Sequence, residues 1–275
     1  MSSFTGHLDK MPTTMADPVQ YRLPLDQLEI PLNEYLGQEI CLRFTGRIHC
    51  TSCGRSIRKT YSQGHCFPCT QTLASCDLCI LKPETCHYHK GTCREPAWGE
   101  RNCMTDHIVY LANSSGLKVG ITKIRNVPTR WIDQGAHQAL PIMRVDSRYK
   151  SGLMEVMFKA YVADRTNWRK MLMNDREEID LEAQRETLLE RCAQSIDDFR
   201  AEHSDEAVQV LADEKVVDIE FPVREYPTKV RSFNFQKTPE VTGRLEGIKG
   251  QYLLLSTGVI NIRKFTAYEV EVSFS

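Results

Sequence analysis

Cys50 and Cys53 form one Cys-x-x-Cys pair, Cys66 and Cys69 a second, and twelve residues separate the two. Each such turn presents two thiolates to one cation, and a loop of this length lets the second turn complete a tetrahedron, the donor set of a structural zinc ribbon or knuckle. Gly54 after the first pair suits a tight turn that frees backbone amides for the sulfurs. A second cluster follows in CDLCILKPETCHYHKGTC, with Cys103 and His107 further on. Its ligands outnumber the four places zinc offers, and the expected set is Cys76, Cys79, Cys86 and Cys93, with His89 as the substitute. Eight thiolates would close both sites against water, so one or two zinc ions are expected to stabilise a small loop-rich module and not to catalyse. The competing reading of the pairs is a disulfide or a thioredoxin-type redox couple.

The expected compartment favours the metal. No window approaches about 18 consecutive apolar residues, and the N-terminal stretch lacks the basic-then-apolar layout of a secretory signal, so a soluble, cytoplasmic chain without a membrane partner is expected. Thiols in that compartment stay reduced. Ten of the eleven cysteines lie between Cys41 and Cys103, and Cys192 stands apart as a buried apolar residue.

Charge is unevenly spread. The net charge is -1, yet residues 101–170 carry about seven more positive than negative groups and residues 171–220 about eleven more negative ones. In the ribbon loop, Arg55, Arg58 and Lys59 interleave with Tyr61, which suits phosphate contact with base stacking, or else the solvated surface of a small module. No phosphate-binding glycine-rich motif occurs, so no nucleotide cofactor is expected.

The elements that must position these groups follow from periodicity. HIVYLA and KVGIT read as two strands joined by the turn NSSGL. Pro128 and Gly135 bracket a short helix carrying Arg130, ALPIMRV reads as a third strand, and GLMEVMFKAYVA as an amphipathic helix carrying Glu155. The order is ββαβα. A longer helix is expected from about Asp180 to Glu202, with Leu181, Leu188, Leu189, Cys192, Ile196 and Phe199 on one face and acidic residues on the other.

With Val109-Tyr110 and Lys118-Val119-Gly120 at the two motif positions, Thr122 after them, Arg130 on the next helix and Glu155 on the one after the third strand, residues 107–163 resemble the GIY-YIG endonuclease superfamily. The resemblance implies that Glu155 holds one Mg²⁺ or Mn²⁺ against a scissile phosphate, that Tyr110 helps activate water, and that Arg130 stabilises the phosphoryl charge. Two positions depart from the pattern: Lys118 stands where the second motif has Tyr, and Ile108 where the first has Gly. A lysine binds phosphate as a point charge but relays protons less readily than a phenol. Arg144 and Arg148, with His137 and Lys150, are expected on the same electropositive edge. Over most of its length the chain also resembles an uncharacterised bacterial cysteine-rich family, through GTCREPAWGE, VYLANSSGLKVGIT and TRWIDQGA.

The ends read as β-rich. TAYEVEVSF alternates with period two, and FTGHL, FTGRI and VTGRL recur near residues 4, 44 and 241. The expected fold is α+β: a β-rich segment 1–48, a zinc module 49–104, a GIY-YIG-like module 105–170, an acidic helical segment 171–215 and a β-rich segment 216–275, the two ends combining into one barrel-like domain. Three functions fit: a metal-dependent nuclease or phosphodiesterase on DNA or RNA; a non-catalytic module that docks nucleic acid or a ribonucleoprotein, Lys118 contacting phosphate; or a zinc-stabilised scaffold whose acidic helix meets a basic protein partner.

Overall fold

The alternation at the N-terminal end produces β1 (Ser2–His7), β2 (Thr13–Thr14), β3 (Gln20–Leu25), β4 (Leu28–Pro31) and β5 (Glu39–Ile48). The computed structural model describes residues 2–163 and 165–275. After β5 the cysteine-rich stretch is built from α1 (Phe67–Thr72), α2 (Pro96–Asn102) and single 3-10 turns between them. The middle of the chain supplies β6 (His107–Asn113), β7 (Leu117–Lys123), α3 (Thr129–Asp133), β8 (Gln138–Val145) and α4 (Arg148–Phe158), so the ββαβα order is realised. Next come α5 (Trp168–Leu172), α6 (Leu181–Arg191), α7 (Ala193–His203), β9 (Val208–Val210) and β10 (Val217–Asp218). The chain closes with β11 (Glu240–Lys249), β12 (Tyr252–Leu255), β13 (Gly258–Asn261) and β14 (Tyr268–Phe274).

Both ends meet in one antiparallel sheet of order β1-β14-β5-β11-β12-β13. The sheet is open, which corrects the barrel-like expectation: the end of β1 bridges to β3 through Leu8 and Leu25 and does not close onto β13. The recurring phrase now has a structural meaning, because its three copies lie in β1, β5 and β11. Two of them occupy equivalent places. Gly6 faces Val270 across β1 and β14, as Gly243 faces Ile40 across β11 and β5. The Leu8 N–H donates to the Tyr268 carbonyl as the Leu245 N–H donates to that of Gln38, both at 2.9 Å. Ala267 and Gly37, whose N–H groups bond back to Leu8 and Leu245, share a left-handed φ of 80° and 83°. A Cβ on Gly6 would lie 2.8 Å from the Leu25 carbonyl carbon, and one on Gly243 2.7 Å from the Thr257 hydroxyl, so each glycine admits the tip of its own half's hairpin. The ends are therefore two copies of one β unit that have exchanged their first strands.

A second sheet, β10-β8-β6-β7 with β9 on β8, lies against the first. Its central strand β6 is buried along its whole length, which explains the nearly unbroken apolar run HIVYLA. Ile108, Tyr110 and Ala112 enter the core of the terminal sheet, while Val109 and Leu111 enter a second core with α4, α6 and α7. The Asn113 side chain closes the hairpin by accepting the Gly116 N–H at 3.2 Å. The single helix expected from Asp180 to Glu202 is two, interrupted at Cys192 (φ -100°, ψ 2°). The break keeps Leu181, Leu188, Cys192, Ile196 and Phe199 all buried on the same core. The Asp180 cap is present, accepting the Ala183 N–H at 3.0 Å. Among the described residues no helix is long and apolar enough to cross a membrane.

If both first strands are integral, Leu8→Ala and Leu245→Ala, at 1% and 0% exposure, each cost about 2–5 kcal/mol. Urea denaturation measures this, and a cost below about 1 kcal/mol at either position would show that strand to be dispensable. His107 provides a pH-dependent counterpart: burial pulls its imidazole down to about 4, and Nε2 has no hydrogen-bond partner among the described residues. The unfolded chain, with an ordinary value near 6.5, takes up the proton first, so stability falls as pH drops from about 6.5 towards 4. The urea midpoint should fall less steeply over that range in His107→Asn; identical slopes would refute the assignment.

Candidate functional site

Cys50, Cys53, Cys66 and Cys69 converge as expected, their sulfurs all within 4.8 Å of one another. β5 runs directly into the first turn, and Cys69 rides on α1 one turn beyond Cys66. Cys53 and Cys66 sulfurs stand 3.8 Å apart, the edge of a tetrahedron whose metal–sulfur bonds are about 2.3 Å; a disulfide would hold them at about 2.05 Å. Gly54 takes φ +67° and donates to the Cys50 carbonyl at 2.9 Å, while the Cys66 N–H donates to the Cys50 sulfur at 3.2 Å. Burial opposes ionisation of Cys50, but hydrogen bonds from the backbones of Cys53, Cys66 and Ser52 outweigh it and hold the thiol at about 5. Cys69, hydrogen-bonded to Cys66 and partly desolvated, is pushed up to about 12. Four thiolates this close together would repel one another without a cation between them, and the geometry fits zinc.

The second expected set is only partly gathered. Asp77, Cys79 and His87 approach one another. Cys79, Cys86 and Cys93 line one small cavity, whereas Cys76 is not among its lining residues. His89 lies against the Tyr149 ring, with centroids 5.8 Å apart, and does not line that cavity.

The ββαβα region brings its candidates into a single cavity of about 360 Å³. Strand β7 contributes Lys118, Gly120 and Lys123, α3 contributes Arg130 with Gln134 one turn on, and α4 contributes Arg148 and Glu155. Gln63, Leu81 and Pro83 of the cysteine module and Arg263 of the terminal sheet complete the wall. Among the described residues its lining carries five cations, Lys118, Lys123, Arg130, Arg148 and Arg263, against one carboxylate, Glu155. Tyr110 lies behind the wall, fully buried, its hydroxyl donating to Gln134 Oε1 at 2.9 Å. Burial holds its phenol above the ordinary range, opposed by the adjacent Arg130 guanidinium. A Cβ on Gly120 would fall 2.7 Å from the Tyr110 ring, so the glycine of KVGIT is what lets Tyr110 lie across β7. Lys118 is 5% exposed and its ammonium donates to the Thr166 hydroxyl at 3.3 Å. Glu155 pairs with Lys159 at 3.5 Å. Helix α4 is pressed onto the cysteine module, since a Cβ on Gly152 would lie 2.5 Å from the Glu84 nitrogen.

The remaining basic candidates lie elsewhere. Arg55, Arg58 and Lys59 are exposed on the ribbon, with Lys59 over the Tyr61 ring at 4.9 Å. Arg144 is bound to Asp106, Lys150 pairs with Asp146 at 2.7 Å, and His137 lines a different cavity with Arg176 and Asp218. Sequence reasoning missed Gln134, Lys123 and Arg263. Gln134 stands four residues after Arg130, a spacing that shares a helix face and could have flagged it; Arg263 joins the wall only through the tertiary fold.

The chain belongs to a family described as protein of unknown function (DUF2797), whose model matches residues 37–270. No curated protein and no solved structure matches it.

Replacing a ligand of the ribbon tests the metal assignment. Cys50→Ser should lower the zinc bound per chain by one equivalent, read by elemental analysis, and reduce the melting temperature; unchanged zinc content would remove the ribbon site.

Proposed function

We propose that this chain binds nucleic acid in the cavity between β7, α3 and α4 and hydrolyses a phosphodiester there with Mg²⁺ or Mn²⁺. The observation that carries this reading is the cavity's charge, five cations to one carboxylate among the described residues that line it. Such a wall attracts a polyanion and holds its phosphates, and Glu155 supplies a carboxylate with which a hard cation could join the phosphate oxygens. The ββαβα order and the positions of Tyr110, Gly120, Arg130 and Glu155 support a GIY-YIG-like module.

The residues divide the work. Arg130 and Lys118 hold the phosphate, and Arg130 meets the charge that grows on the phosphoryl oxygens as water attacks phosphorus and the bridging bond breaks. A divalent cation held by Glu155 and the phosphate would supply further charge neutralisation. Tyr110 is a positioning residue: sealed from solvent and held as a phenol, it fixes Gln134 and Arg130 rather than accepting a proton. The cavity also continues, through the shared residues Gln63 and Arg263, into a groove lined by Tyr61, His65 and Lys264. A cationic groove with an aromatic side chain suits a strand leaving the site across the ribbon.

The burial of Tyr110 and the lysine at position 118 favour a second reading, docking without cleavage. A cleavage assay on zinc-loaded protein with single- and double-stranded DNA and RNA and Mg²⁺ or Mn²⁺ separates the two. Glu155→Ala should abolish cleavage and retain binding, while Arg130→Ala and Lys118→Ala weaken binding and each reduce the salt slope by about one. Binding without cleavage in the wild type selects the docking module, and affinity unchanged in both cationic variants at low salt rejects both readings.

A further inference from the structure

Four thiols that no Cys-x-x-Cys spacing unites line one small void, their sulfurs less tightly gathered than those of the ribbon. Cys79, Cys86, Cys93 and Cys103 line a cavity of about 10 Å³ against α2, room for one ion or one water. The backbone builds this arrangement. Cys103 ends α2, its N–H donating to the Gly99 carbonyl at 2.6 Å, and a Cβ at Gly99 would lie 3.4 Å from the Cys93 sulfur, so the same turn of helix carries one thiol and abuts another. The 3-10 turns Leu78–Ile80 and Pro83–Thr85 carry Cys79 and end at Cys86, which line the same void. Cys79 lies within electrostatic reach of Cys86 and Cys103, and Cys103 within reach of Cys86 and Cys93.

Four thiolates on a divalent cation leave two negative charges, which an apolar wall tolerates only beside a compensating cation. Arg148 is such a cation. Its backbone N–H donates to the Cys103 carbonyl at 2.7 Å, its Nη2 donates to the Ile80 carbonyl at 2.6 Å, and its buried Nε has no partner among the described residues. Of the acidic groups around it, Cys103 and Cys79 act on the guanidinium more strongly than Glu155 does. We propose that Cys79, Cys86, Cys93 and Cys103 hold a second structural zinc ion, with Arg148 as its charge partner and Cys76 outside the ligand set. Asp77 and His87 also approach Cys79, but Asp77 is engaged by Arg94 at 2.7 Å and His87 Nδ1 by the Thr92 hydroxyl at 2.7 Å; they brace the loop. Coordination here does not depend on nucleic-acid binding, although Arg148 also lines the cationic cavity, so the metal fixes one wall of it.

Zinc per chain, measured on the full-length wild type, Cys103→Ser and Cys76→Ser, should be two, one and two. Cobalt-substituted wild type should show thiolate-to-metal charge transfer from eight thiolates, halved per chain when the second site is emptied. Should Cys103→Ser fail to fold, the wild type serves alone: graded chelation in the presence of an alkylating reagent should expose Cys79, Cys86, Cys93 and Cys103 together as the second zinc leaves. A wild-type content of one zinc overturns the site. So does two zinc in Cys103→Ser with one in Cys76→Ser or Asp77→Asn, or alkylation of Cys103 before zinc is released.

Discussion

Everything in this molecule hangs from the exchange of first strands between its two β units. β5 and β14 lie side by side, and each is flanked on its outer side by the opening strand of the other unit. Neither unit can satisfy the hydrogen bonds of its last strand alone, and an unpaired buried strand edge is costly. The exchange thus welds residues near the two ends, and the cysteine module and the ββαβα region are carried on a loop whose exit, β5, and return, β11, are neighbouring strands. Leu8 and Leu245, both sealed in the terminal core, are the two rivets of this weld.

From that frame the cavity acquires walls from three parts of the chain. The terminal sheet sends Arg263, the cysteine module sends Gln63, Leu81 and Pro83, and the central region sends the remainder. Helix α4 is the shared beam: Gly152 lets the cysteine module lie directly on it, and the same helix presents Arg148 at its first turn and Glu155 one face further along. Close approach at a glycine leaves little freedom for relative movement, since a packed interface resists small displacements. The thiolate-rich module therefore acts on the site mechanically, by holding α4 and its charges in place.

Local features were legible in the sequence. The paired cysteines announced a four-thiol cluster, and the apolar run HIVYLA with its Asn and Gly turn announced a hairpin, because both depend on residues close in the chain. Pro128 and Gly135 bracketed α3 for the same reason. What remained hidden was tertiary. Cys103 looked like a leftover because nine residues separate it from Cys93, yet α2 folds that interval back on itself. His89 looked like a ligand by spacing, but its ring turns to Tyr149. Arg263 could not have been connected with Lys118 by any pattern. The recurring Thr-Gly phrase was visible, but that two of its copies sit at matching registers was a property of the sheet alone.

The strand exchange also sets a timetable for synthesis. The strand partner of β1 is β14, more than two hundred residues later in the chain, so β1 leaves the ribosome long before the strand it pairs with. Contacts of such long sequence separation form slowly and after local ones. The ribbon turns, whose ligands span residues 50–69, and the hairpin β6–β7 need no such wait, so metal loading and the central hairpin can precede closure of the frame that holds them. Until the final strand emerges, the nascent chain carries an exposed β edge, and a cell making this protein must keep that edge from pairing with the same edge on a neighbouring copy.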